Sequence, residues 1–486
     1  MKKYVALILC LALISTMVPA LACTGFVAGK GATADGSLIM GRNEDIGSAY
    51  NKNILVNPAS TAEGEMTLTD PYNGFTIQLP AAYGQWTMVS DVPEHDDGLY
   101  AEACMNEYGV SLTATVSTGV NDAVKEFDPL VENGLREAYL PNVVIPYAKT
   151  AKEGVQMLGK VIEEYGSAEG NTVIFADVNE AWVMEIVSGH EWAAVKVPDD
   201  CYAVIPNCMM IGYVDVNDTD NYLCSPTLFS MPEEKGFLKT LNDQPHVALT
   251  YAPEMSDGNR VRAWGGQHYF SASQEIPYDT EVFSLFQKPD EKITLMDAMG
   301  VLAYRYEGTE YDVNEHPEVR AIGVEGTSEA HLFQYKENGV LTEWQTLGNP
   351  EHTVFLPMYP AIADTPDAFK VTGRQYNADS AYWTLRGLSA LCEIDRTNYG
   401  AGVKAYWKLY QQQLIDKIAA CDAEYAALSG EEQAKYATEL FAEISADALD
   451  KAKVMTDELM YFICKRGSMA KQPRAPFTPS LMPAAE

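Results

Sequence analysis

The chain has 486 residues, 47% apolar and 21% charged, the proportions of a globular protein long enough for one large core or two ordinary ones. Asp and Glu number 68 against 34 Lys and Arg, a formal net charge of −34. No stretch concentrates Lys or Arg, which excludes a phosphate-gripping, nucleic-acid-binding surface; the acid excess suits solubility or an extracytoplasmic setting and names no partner.

Residues 1–22 read as a secretory signal peptide. Lys2 and Lys3 form its charged end, Val5 to Val18 its apolar stretch, and Pro19-Ala20-Leu21-Ala22 a small-residue cleavage site. The apolar stretch is short for a membrane span, and no later segment reaches 18 uninterrupted apolar residues, so the mature form is expected to be exported and not membrane-spanning. Cleavage after Ala22 makes Cys23 the first residue. The cysteines that remain are Cys23, Cys104, Cys201, Cys208, Cys224, Cys392, Cys421 and Cys464. They are too sparse for a disulfide scaffold and contain no CxxC; their pairing stays open.

A cysteine at a new amino terminus has three readings: a lipid acceptor, a chance residue, or a nucleophile. A lipoprotein signal wants Leu, Val or Ile where Ala20 stands, and Thr24 to Ala28 reads as an immediate strand, not a polar tether. As a nucleophile, Cys23 carries its own base, because a free α-amine with a pKa of ~7.7–8.0 can take the thiol proton. The seven histidines (His95, His190, His246, His268, His316, His331 and His352) form no metal spacing, and GxSxG, P-loop and GxGxxG patterns are absent. No cofactor and no metal are expected.

Thr24 to Ala28 and Ser37 to Met40 are short apolar runs separated by a turn-rich Gly29-to-Gly36 segment, which predicts a β-hairpin. It returns Arg42, Asn43 and Asp45 toward Cys23. A guanidinium there favours thiolate, and a carboxylate can hold the α-ammonium or a substrate amine. Further strands are predicted at Val110 to Val116, Thr172 to Ala176, Trp182 to Val187 and Ala193 to Val197. Helical spacing covers 128–140 and 144–165. Strand clusters between helices suggest stacked sheets flanked by helices. From about 379 the chain turns helical: Tyr406, Trp407, Tyr410, Leu414, Ile418, Cys421 and Tyr425 share one face, read as core packing. A Ser429-Gly-Glu-Glu box starts another helix running to about Ile463. The last 20 residues read as a loose tail.

Several segments, in this order, carry a resemblance: the Cys23-Thr24-Gly25 start, Asp35-Gly36-Ser37, Gly41-Arg42-Asn43-Glu44-Asp45, Trp182 to His190, Pro198-Asp199-Asp200, Val204-Ile205-Pro206-Asn207, Arg260 to Gln267, and Tyr306 to Asp312. The chain resembles the amino-terminal-nucleophile (Ntn) cysteine dipeptidases of cysteine peptidase family sixty-nine, related to penicillin V acylase and bile salt hydrolase. The resemblance implies an α+β fold, the Ntn-hydrolase four-layer αββα sandwich with a carboxy-terminal helical extension. It divides the chain into a catalytic domain over 23–375, a helical extension over 376–466 packed on it, and the tail over 467–486. It also implies roles: Cys23 as nucleophile, Arg42 stabilising the thiolate, Asp45 positioning the α-amine, and the Asn207 amide in the oxyanion hole. Val116 falls where the relatives use a backbone N–H as second donor. Arg260 matches a further active-site arginine, with Arg262 close enough to compete for the match. The function implied is an exported dipeptidase acting on small peptides through a thioester acyl-enzyme. An N-acyl amide hydrolase and a lipid-anchored binding protein acylated at Cys23 are the alternatives, and homo-oligomerisation stays open.

Overall fold

The computed structural model describes residues 23–47, 49–95, 98–467 and 475–483. The signal peptide expected over 1–22 lies outside them. The strands in chain order are β1 (Thr24–Ala28), β2 (Leu38–Glu44), β3 (Lys52–Asn57), β4 (Ser60–Thr69), β5 (Thr76–Tyr83), β6 (Trp86–Asp91), β7 (Ala101–Asn106), β8 (Ser111–Thr118), β9 (Gly170–Ala176), β10 (Ala181–Ile186), β11 (Trp192–Lys196), β12 (Tyr202–Ile205), β13 (Tyr222–Cys224), β14 (Thr240–Leu241), β15 (Gln244–Pro245), β16 (Glu329–Tyr335), β17 (Leu341–Leu347) and β18 (Leu356–Met358). They build a six-stranded sheet, β12-β1-β2-β16-β17-β18, and an eight-stranded sheet, β13-β11-β10-β9-β8-β7-β6-β3, with β4-β5 and β14-β15 as separate ribbons.

The predicted hairpin is β1–β2, in register Gly25↔Arg42 and Thr24↔Asn43. Its turn uses Gly36 at φ 73°, a left-handed conformation that glycine adopts without a Cβ penalty. The second strand runs on through Gly41-Arg42-Asn43-Glu44, every residue buried. Gly41 is sterically required, because a Cβ there would stand 1.9 Å from the His331 carbonyl oxygen on β16.

Alternation along β10 shows why the eight-stranded sheet has two buried faces. Ala181 and Val183 join the core shared with Phe26, Met40 and Leu332 of the other sheet. Trp182, Met184 and Ile186 join a second core with Val155, Leu158 and Ile162 of helix α1 (Ala151–Tyr165). Helices α2 (Asp257–Ser271) and α3 (Leu295–Leu302) pack on the six-stranded sheet, α2 on β12 and α3 on β1, β2 and β16. The molecule is thus of mixed helix-and-sheet class.

The helical pattern over 144–165 divides in two. A short helix, Leu140–Val144, ends before Pro146, and α1 restarts when the Thr150 side chain accepts the Glu153 N–H at 3.1 Å. Over 128–140 only a 3-10 turn, Glu137–Tyr139, forms.

Helices α4 (Ala381–Glu393), α5 (Ala401–Ala427) and α6 (Gly430–Gly467) complete the chain. Tyr406, Trp407, Tyr410, Leu414, Ile418 and Tyr425 are buried and belong to the same core as Phe26, whereas Cys421 is only half-buried. Tyr359, beyond β18, stacks on Tyr425 at 4.0 Å and donates its hydroxyl to Asp422 at 2.7 Å. Part of the stretch expected as a loose tail is anchored: Phe477 is buried, 5.6 Å from the Phe462 ring, and its N–H bonds the Asn398 carbonyl. Leu481 and Met482 pack against the same core, so apolar burial docks the segment. None of the described helices is long and apolar enough to cross a membrane.

Candidate active site

Cys23 lies immediately before β1 and is buried. The register of the hairpin brings Arg42 to it: Nη1 donates to the Cys23 sulfur at 3.2 Å. Period-two alternation then divides the next residues between two walls. Arg42 and Glu44 face the eight-stranded sheet, where Arg42 Nη2 binds Glu102 at 3.0 Å and Glu44 meets Lys52. Asn43 and Asp45 face the other way. Asn43 Nδ2 donates to the carbonyls of Leu302 and Ile322 at 3.3 and 2.7 Å, and its Oδ1 receives the Thr24 N–H at 2.8 Å. Burial pushes the Cys23 thiol up to about 12 against the pull of Arg42, with Glu44, Glu137 and Asp45 adding to the rise.

A second guanidinium reaches the same residue from helix α2. Arg262 Nη1 donates to the Cys23 carbonyl oxygen at 2.6 Å and to Thr24 Oγ1 at 3.1 Å. Its Nη2 donates to Asn207 Oδ1 at 2.9 Å and Asn259 Oδ1 at 2.7 Å. Burial and the positive charge of Arg320 lower Arg262 to about 10. Asn207 follows β12 and Pro206; its Nδ2 donates to the Ser117 carbonyl at 3.0 Å. Arginine has no acceptor, so the Asn207 oxygen must face Arg262 and the amide nitrogen must face away.

Arg260 is not brought to Cys23. Its Nη1 donates to the carbonyl oxygens of Thr280 at 2.5 Å and Tyr278 at 3.5 Å. Two residues along an α-helix are separated by about 200° around its axis, so Arg260 and Arg262 cannot face the same point. Of the two, Arg262 is the one that reaches Cys23. Asp45 is close but engaged elsewhere: Arg320 Nη2 donates to its Oδ2 at 2.6 Å and Thr327 Oγ1 to its Oδ1 at 2.5 Å. Burial raises its carboxyl although Arg320 opposes the rise. Val116 lies in β8 opposite Thr172, where the ladder with β9 shifts register between Thr113 and Val116.

Sequence reasoning missed the ionic layer behind Arg42. Lys52 is fully buried, and its ammonium contacts Glu44, Asp91 and Glu102 together. These three carboxylates converge closely enough to ligate a metal ion, but a lysine ammonium already stands among them. Burial works to raise Glu44, yet Lys52 and Arg42 outweigh it and bring it to about 2. Burial and the charge of Glu44 push Glu102 well above the usual carboxylate range, with Lys52 and Arg42 opposing. A second such convergence, Glu351, His352 and Glu393, is likewise met by cations: Arg305 binds both carboxylates, and Arg396 and Lys404 bind Glu351.

Glu185 on β10 is the other missed group. Its fully buried carboxyl accepts the backbone N–H groups of Met210 at 2.5 Å and Ile211 at 3.1 Å, in the segment that carries Asn207. Burial raises it to about 8 even though those two N–H groups lower it. The eight cysteines of the described residues are all free.

The profile of Peptidase family C69 matches residues 22–409, so its match opens beside Cys23 and takes in Arg42, Asn207 and Arg262. The chain belongs to this family and is a cysteine-type peptidase. It is 35% identical over 428 residues to "Probable dipeptidase B" of Streptococcus pyogenes serotype M3, covering 82% of this chain and 85% of that protein. It is 33% identical over 421 residues to "Probable dipeptidase" of Latilactobacillus sakei, covering 82% of this chain and 87% of that protein. A mutant of conjugated bile acid hydrolase from Clostridium perfringens aligns over 69% of this chain and 92% of its own, at 15% identity and a TM-score of 0.34.

Proposed function

We propose that this peptidase is an exported dipeptidase in which Cys23, freed by removal of residues 1–22, attacks the scissile carbonyl and carries the acyl group as a thioester. The observation that carries the reading is the 3.2 Å approach of Arg42 Nη1 to the Cys23 sulfur, at the point where the family match begins. In the uncut chain the Cys23 nitrogen is an amide and cannot take a proton, and the buried thiol is held protonated. Cleavage turns that nitrogen into an amine able to accept the thiol proton. The proton then passes to the leaving amine as the peptide C–N bond breaks; water, deprotonated by the same amine, cleaves the thioester and restores the thiol.

Asn207 Nδ2 carries two N–H bonds. One is engaged with Ser117, and the other supplies an oxyanion donor whose direction Arg262 fixes. The bulge in β8 falls at positions 114–115, immediately ahead of Val116, whose backbone N–H is the proposed second donor. With its carboxylate engaged by Arg320 and Thr327, Asp45 acts as a positioning group. The proposed architecture is the αββα sandwich of Ntn hydrolases, supported by helices packed on both sheets. Dipeptides are the substrate class because the relatives bear that name at 33–35% identity over four-fifths of the chain.

The test compares the chain beginning at Cys23 with one retaining Ala22, on a dipeptide panel alongside penicillin V and glycocholate. Turnover of dipeptides by the first chain alone supports the reading. Equal turnover by the Ala22-retaining chain refutes the terminal-amine mechanism, and cleavage of only the N-acyl amides refutes the substrate class.

A further inference from the structure

Five charged side chains from two sheets meet in the dry layer behind Cys23. Arg42 and Glu44 come from β2 of the six-stranded sheet; Lys52, Asp91 and Glu102 come from β3, β6 and β7 of the eight-stranded sheet. Lys52 and Asp91 are cross-strand partners in register. Glu102 is the hinge of the group: one carboxylate oxygen contacts the Lys52 ammonium and the other accepts from Arg42 Nη2 at 3.0 Å. A carboxylate held at both oxygens has a fixed plane, and so does the guanidinium bonded to it, whose Nη1 is then aimed at the Cys23 sulfur.

We propose that Lys52 is a positioning residue: acting through Glu102, it aligns the Arg42 guanidinium on Cys23 and so sets how readily the thiolate forms. The proposal rests on the reading of Cys23 as the nucleophile. The physical reason is geometric: Glu102 has no exposure, so water cannot replace a lost partner, and its plane is held by the two cations that meet its two oxygens. Without Lys52 one of those oxygens loses its partner and the carboxyl can rotate. The guanidinium bonded to the other oxygen then follows, and Glu329 of β16, 3.8 Å from the same Nη2, draws it from the sulfur.

A through-space effect of the ammonium would also favour thiolate, so the test has to separate the two routes. The groups facing Cys23 are Arg42, Glu44 and Asp45 on and after β2, Glu137 from the 3-10 turn, and Arg262 from α2 through the Cys23 carbonyl. Those facing Lys52 are Glu44, Asp91 and Glu102, with Tyr382 of α4 nearby. Glu102→Gln keeps the shape but has a single acceptor oxygen, so it cannot bind Lys52 and Arg42 together, and it adds no negative charge. Through-space electrostatics alone predicts thiolate formation that is easier or unchanged in that variant; alignment through Glu102 predicts harder.

The experiment follows the rate of Cys23 alkylation by iodoacetamide against pH, read by mass of the Cys23 peptide, in the mature chain and in Lys52→Met, Glu102→Gln and the double variant. Each single variant is expected to raise the alkylation midpoint by at least about one pH unit. At neutral pH kcat should fall about tenfold with little change in KM. The double variant should be no worse than the more affected single variant. A midpoint that falls or stays in Glu102→Gln, or shifts that add in the double variant, overturns the proposal. Should Lys52→Met fail to fold by circular dichroism, the direction of the Glu102→Gln shift decides alone. Alkylation needs no substrate, so failure here is distinct from failure of the wild-type chain to cleave dipeptides.

Discussion

Arg262 and Asn207 meet at 2.9 Å, guanidinium nitrogen to amide oxygen, and the same guanidinium holds the Cys23 carbonyl at 2.6 Å. One side chain of α2 therefore fixes both the backbone of the nucleophile and the orientation of the candidate oxyanion donor. The two can shift only together.

Asn207→Ala should lower kcat by about 10²–10³, or roughly 2.7–4 kcal/mol, with little change in KM. A donor aimed where the oxyanion will be strengthens only as charge develops there. Steady-state kinetics on one dipeptide is sufficient. A kcat within about threefold of wild type would remove Asn207 from the oxyanion hole.

Arg262→Gln should be nearly inactive, because it releases Asn207, Thr24 and the Cys23 carbonyl together. Arg260→Gln should retain most activity, since its guanidinium serves two loop carbonyls away from the sulfur. Parallel kcat/KM measurements settle which arginine belongs to the site; the reverse ranking would show that the helix is turned in the active enzyme.

Asp45→Asn and Arg320→Gln should not be additive. Their 2.6 Å ion pair leaves one buried or partly buried charge without its counter-charge when either member is lost, a cost the double variant escapes. A cycle of unfolding free energies should give a coupling of about 1–3 kcal/mol. A coupling near zero would mean that Thr327 alone holds Asp45.

Glu185 gives a prediction in pH. Its folded carboxyl titrates at about 8, and an unfolded glutamate at about 4.3. Between those values the folded chain keeps a proton that the unfolded chain has released. The contribution is whole below the unfolded value and is lost as pH rises through the folded one. The slope is about 1.4 kcal/mol per pH unit for one proton. Urea unfolding of wild type and Glu185→Gln at pH 5, 6, 7 and 8 should show wild type losing ground to the variant at each step. Parallel curves would mean that Glu185 is ionised when folded.

The sequence carried the hairpin, strands β8 to β11 of the eight-stranded sheet and the aromatic face of α5, because each combines apolar spacing with turn or cap residues at its ends. It placed Arg42 beside Cys23 by register alone. It stopped short at Met40, since the buried remainder of β2 is polar and paired across a distance no local pattern records. Lys52, Asp91 and Glu102 come from three strands, and only the pairing of the sheets reveals that they converge. Arg260 and Arg262 differ by a helical phase: a motif locates the turn of helix but not which of its faces is inward. The break at Pro146 was visible in the residues, but the apolar spacing on either side of it kept the same phase.

Four consecutive positions, Arg42 to Asp45, each touch a different part of the molecule, two on either side of β2. Substitutions there alter one contact at a time, but a gain or loss of one residue would exchange the sides: amide and aspartate would enter the ionic layer, and arginine and glutamate would turn toward the helices. The length of this strand is therefore under stricter constraint than its composition. Natural variation in length should be accommodated in the turn ahead of it, leaving the interval from Gly41 to Asp45 without insertions or deletions.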